Sequence, residues 1–194
     1  MNKLTKLRTT LAMLGLAVLG SVANAGTFKD ISTPETPANE KWIAYEGQIV
    51  DADVPVYEKL LQREETIVLI MKSGGGSFAA GVRLGRLTMK YRDEVEIIVD
   101  KAYSAAALWT IGDDNYKFLD DKSELGFHLP YIYGSALDAG TEQQIGYICG
   151  RYLEDALGEN TAMNLMQVMG EIRREYGKMA LIVMSPTRKP FVKK

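Results

Sequence analysis

Residues 66–78, TIVLIMKSGGGSF, decide the fold. Residues 66–71 are a short, nearly all-apolar run, the pattern of a strand buried on both faces. The turn Ser73-Gly74-Gly75-Gly76-Ser77 follows, and three glycines in a row have no Cβ to block positive φ or the close approach of another backbone. Residues 78–91 then place Ala80, Leu84, Leu87 and Tyr91 on a helical repeat. Strand, turn and helix in that order begin a crossover unit, and such units are right-handed and join parallel strands.

Outward from this unit the alternation continues. Upstream, residues 43–50 predict a strand and 54–63 a helix. Downstream, 94–99 predict a strand, the alanine-rich run 102–111 a helix, 116–119 and 124–127 short strands, and 138–157 and 161–176 two longer helices. The expected fold class is α/β: a single domain with a mainly parallel sheet and covering helices. Sheets of this kind bind ligands at the carboxyl ends of their strands, which is where the glycine turn falls. Gly81 and Gly85 stand one helical turn apart and predict close packing of that helix on the sheet.

The first 25 residues carry Lys3, Lys6 and Arg8, an apolar run and a closing Ala23-Asn24-Ala25. That is the pattern of a secretory signal, with the mature chain expected from Gly26 and no stable membrane anchor after its removal. Residues 26–41 are expected to be an extended leader outside the core, and 42–194 the folded domain. Removing the signal takes away three positive and no negative charges, moving the formal charge from −2 to −5, so nucleic acid is excluded as a partner. Cys149 is the sole cysteine, so no internal disulfide forms, and the residue is expected to act as a small buried hydrophobe. A periplasmic or secreted location is the expectation.

With one histidine and no cluster of metal-ligand spacing, no metal is expected. A phosphate-binding loop is excluded too, because Gly76 is followed by Ser77 and Phe78 rather than by a lysine and a hydroxyl residue. What remains is nucleophilic chemistry. Ser104 stands between a strand and an alanine-rich stretch, and His128 closes a short strand 24 residues later, followed by Leu129-Pro130. For Ser104 two roles are open: a helix N-cap, or a nucleophile whose proton the imidazole takes. Other groupings read as structural. Arg83, Arg86 and Lys90, and the tail residues Arg188, Lys189, Lys193 and Lys194, are expected to be solvated, and Met163, Met166 and Met169 to be a core stripe or a subunit contact.

Three motifs in order give a resemblance. Ser73-Gly74-Gly75-Gly76 with Ala80-Gly81, the stretch Ala102-Tyr103-Ser104, and His128-Leu129-Pro130 resemble the ClpP-like serine peptidases of the ClpP/crotonase superfamily, and among them the exported, uncharacterised members. The resemblance implies a ClpP/crotonase-like fold with Ser104 as nucleophile and His128 as general base. It implies an oxyanion hole from the amides of Gly76 and Ala105, and a peptide or protein substrate lying against Gly75 and Ser77. It leaves a homo-oligomer open and calls for no cofactor. The family's third triad member, an aspartate near the C-terminus, has no counterpart within residues 180–186, so Asp138 and Asp155 are the candidate orienting acids. Two other readings share these motifs: a catalytically weak or inactive relative that binds peptide or protein, and a crotonase-like acyl-thioester enzyme requiring coenzyme A.

Overall fold

The computed structural model describes residues 25–131 and 138–194, and the expected signal segment lies almost wholly outside them. In chain order the described elements are β1 (Thr27–Asp30), β2 (Glu40–Glu46), α1 (Asp53–Leu61), β3 (Thr66–Ser73), α2 (Phe78–Lys90), β4 (Val95–Tyr103), α3 (Ala105–Thr110), β5 (Lys117–Phe118), β6 (Glu124–Phe127), α4 (Ala139–Leu157), α5 (Glu159–Tyr176), β7 (Leu181–Met184) and β8 (Phe191–Lys193). The strands form one sheet in the order β1-β2-β3-β4-β6-β7-β8, with β5 beside β4. From β2 to β6 the pairing is parallel, and β1, β7 and β8 join antiparallel. The fold is therefore mixed α/β with a parallel centre, as the strand and helix alternation predicts.

Side chains alternate across a strand, and β3 shows what that alternation holds. Ile67, Leu69 and Met71 join the main core, together with residues of all five helices. Val68 and Ile70 join a smaller cluster with Ile31, Ile98 and Leu119. Burial on both faces is why residues 66–71 read as apolar throughout, and each fully buried aliphatic side chain contributes roughly 1.5–3 kcal/mol. Trp109 on α3 sits at the centre of the main core, its ring edge-on to Tyr45 and Tyr57 at centroid distances of 4.9 and 4.7 Å.

Several expectations need correction. Part of the supposed leader is core: β1 pairs with β2, Phe28 packs against Tyr45 and Trp109, and Ile31 is buried. Ala102 and Tyr103 belong to β4 rather than to a helix, because pairing with Leu125 and Gly126 on β6 overrides alanine's helix propensity. β7 and β8 were not expected. Gly81 and Gly85 serve neighbouring helices rather than the sheet: a Cβ at Gly81 would stand 2.6 Å from the Ala105 carbonyl oxygen on α3, and one at Gly85 would run into the Tyr152 phenol of α4 and stand 2.8 Å from the Leu108 carbonyl oxygen. The methionine stripe divides: Met169 is buried while Met163 is exposed.

Candidate active site

The glycine turn is built by hydrogen bonds to the chain just beyond β2. Ser73 Oγ donates to the Gly47 carbonyl at 2.6 Å and accepts from the Gly75 amide at 3.1 Å. Ile49 accepts from the Ser77 amide at 2.8 Å and donates to the Gly75 carbonyl at 2.9 Å. Gly75 has φ 102° and Gly76 φ 149°, a region that only glycine enters without strain. Space demands glycine as well. A Cβ at Gly75 would lie 2.7 Å from Ser104 Cβ and 2.7 Å from the Tyr103 carbonyl oxygen, so the turn abuts the backbone that carries the candidate nucleophile.

Ser104 has φ 57° and ψ −121°, the sole non-glycine residue with positive φ among those described. Such a conformation costs of order 1–3 kcal/mol and persists only where its surroundings fix it. Its amide donates to the Gly126 carbonyl at 2.8 Å and its carbonyl accepts from the Leu108 amide at 3.1 Å. Ser104 occupies the N-cap position of α3, but its hydroxyl makes no capping bond. A serine at a strained strand-to-helix turn, with its hydroxyl released, has the geometry of a nucleophile elbow.

His128 follows directly on β6. Its Nδ1 lies 2.7 Å from the Leu129 carbonyl oxygen, an acceptor, so Nδ1 carries the proton and Nε2 is left with a lone pair. Burial pulls the imidazole below its ordinary value, the Leu129 hydrogen bond opposes this less strongly, and the charge of Arg173 makes the smallest contribution, also downward. The ring is therefore neutral near pH 7, the form a general base needs.

Ser104, His128, Gly75, Gly76 and Ala105 all line one cleft of about 970 Å³ at the carboxyl ends of β3 and β4. Among the described residues no hydrogen bond joins Ser104 Oγ to the imidazole, and none engages the amides of Gly76 or Ala105. Among the described residues, then, neither amide has a partner that would compete with an oxyanion.

The remaining candidates lie elsewhere. Ser77 caps α2, accepting from the Ala80 amide at 3.2 Å, and its own amide is held by Ile49; its neighbour Phe78 lines the cleft instead. Asp138 caps α4, accepting from the Thr141 amide at 2.9 Å and its hydroxyl at 2.6 Å. Asp155 sits 3.8 Å from Arg86 on exposed surface. Neither carboxylate bonds the imidazole, whose Nδ1 partner is a backbone carbonyl. Sequence reasoning missed the cleft's walls, notably Tyr103, Leu108, Tyr131 and Met179, because they come from four separate segments. Cys149 is buried, and burial pushes its thiol up to about 12. No group of three or more metal-ligating side chains occurs among the described residues, and none of their helices is long and apolar enough to cross a membrane.

No family model matches the sequence, and no curated protein matches it. Solved structures do. ClpP1 from Listeria monocytogenes superposes with a TM-score of 0.53 at 15% identity, covering 69% of this chain and 85% of that one. A point mutant of the same protein gives 0.54 at 15% identity, over 75% of this chain and 82% of the other. A mutant of the 1510-N membrane-bound stomatin-specific protease gives 0.52 at 12% identity, over 74% and 70%. At these identities the likeness is one of fold, and the fold is ClpP-like.

Proposed function

We propose that the chain is an exported serine hydrolase that cleaves extended peptide. Ser104 Oγ attacks the scissile carbonyl carbon while its proton passes to His128 Nε2. The amides of Gly76 and Ala105 hold the negative charge on the carbonyl oxygen. As the C–N bond breaks, Nε2 returns the proton to the leaving amine. Water, deprotonated by the same nitrogen, then releases the acyl group and restores Ser104. The observation that supports this reading best is the strained Ser104 elbow against the glycine turn, in one cleft with the His128 imidazole. Fold likeness to proteases supports it at a coarser level.

The test is turnover of a quenched-fluorescence casein or mixed peptide pool by the parent and by Ser104→Ala. Cleavage lost in the variant is expected, and equal cleavage by both contradicts the assignment.

A second reading is favoured by one observation, that a carbonyl rather than a carboxylate meets Nδ1. In it the cleft binds peptide or a protein without cleaving it. Peptide affinity unchanged by Ser104→Ala, with turnover in neither form, would establish that reading in place of the first.

A further inference from the structure

Ser104 and His128 are carried by neighbouring parallel strands, and little joins those strands. β4 and β6 pair over three positions only, Lys101 with Glu124, Ala102 with Leu125 and Tyr103 with Gly126. One more backbone bond, from the Ser104 amide to the Gly126 carbonyl, closes the ladder. Among the described residues no carboxylate bonds the imidazole, so its distance from the serine depends on how firmly this short ladder is held.

A side-chain cluster lies across it. The Tyr103 ring rests over Gly126, where a Cβ would stand 2.7 Å from the ring. Its hydroxyl donates to the Glu124 carboxylate. Lys193, on β8, places Nζ 2.8 Å from the Tyr103 hydroxyl oxygen and 2.8 Å from Glu124 Oε2, and 4.7 Å from the centre of the Tyr103 ring. Lys101 adds a longer contact to Glu124 at 3.8 Å. The Glu124 side chain is 15% exposed and that of Lys193 44%, so the carboxylate end of the cluster is less solvated than in an open surface pair.

We propose that Tyr103, Glu124 and Lys193 are positioning residues that clamp β4 to β6 and so set the separation of Ser104 Oγ from the imidazole. The proposal rests on the hydrolase reading of those two residues. Tyr103 directly precedes the strained serine, and Gly126 lies two residues before His128, so one clamp fixes both. A strained backbone needs surroundings that over-determine it, and a displacement of about 1 Å between reacting groups lowers rates by roughly a hundredfold. The charges agree with the arrangement: Lys193, then Tyr103, hold the Glu124 carboxyl below its ordinary range, and Glu124 raises Lys193.

Two measurements on the full chain test it, using Tyr103→Phe, Lys193→Met and Lys193→Arg. The first is the rate of labelling by a fluorophosphonate probe. Tyr103→Phe and Lys193→Met are expected to label at least about tenfold more slowly than the parent, and Lys193→Arg at close to the parent rate. In a His128→Ala background neither loss should recur, because residues acting as one unit are non-additive. Parent-like labelling in both variants, or the same fold-loss without His128, overturns the clamp. The second measurement is hydrogen exchange at the Ser104 amide, expected to quicken by about tenfold in Lys193→Met while amides of β3 hold their rates. An unchanged Ser104 rate also overturns it. A parent chain that takes no label refutes the hydrolase reading, and the exchange result then decides the clamp alone.

Discussion

Ser104 and His128 both leave the sheet at the carboxyl end of a strand, but the strands differ. β4 has nine residues, pairs with β3 over seven positions on one side and meets β5 and β6 on the other. β6 has four, paired over three positions to β4 and three to β7. The serine is held in a strained backbone by glycine packing on one side and core helices on the other. The base is held by a thin strip of sheet and by the carbonyl of its own neighbour. On the proposed mechanism, the nucleophile would thus be braced by more of the sheet than the base.

The largest expected effect falls on the weaker side. His128→Ala should slow fluorophosphonate labelling by about 10²–10⁴-fold with the far-ultraviolet circular dichroism unchanged; a loss below about threefold would deny it the role of base. Next comes the glycine packing. Gly75→Ala forces a methyl group against Ser104 Cβ and the Tyr103 carbonyl at φ 102°, so its unfolding free energy in urea should fall by about 1–3 kcal/mol. No change in the midpoint would mean that the turn does not brace the elbow.

The pH dependence sharpens the comparison further. Burial lowers the His128 value, so the proton-free ring persists to more acid solution than free histidine allows. The midpoint of the labelling profile should therefore lie at lower pH than the titration of free histidine. A midpoint at or above pH 7 would contradict a buried base. The smallest effect belongs to Asp138→Ala. Loss of the helix cap should lower the melting temperature modestly and leave the labelling rate unaltered; a large fall in labelling would make Asp138 an orienting acid after all.

The same asymmetry governed what could be read from the chain. Residues 66–78 were legible because burial on both faces and the demand for φ above zero each leave a compositional mark, apolar residues in one case and glycine in the other. β7 and β8 were not. The run Leu181–Met184 is apolar like residues 66–71 but only four residues long, with no glycine turn or helix after it to mark a crossover unit, and β8 lies in a basic tail whose strand character arises only from pairing with β7. Lys193 looked solvated for the same reason, since its partners Tyr103 and Glu124 lie 90 and 69 residues away. The Leu129 carbonyl escaped notice because backbone acceptors are present at every position, and only the fold decides which one meets a ring.

The most direct test of the central claim is to treat the protein with a fluorophosphonate at pH 8, digest it and locate the adduct by mass spectrometry. One phosphonyl group on the peptide containing Ser104, absent from Ser104→Ala, is the predicted result. An adduct on another residue, or none on a folded parent chain, would contradict the claim that Ser104 is the nucleophile of this cleft.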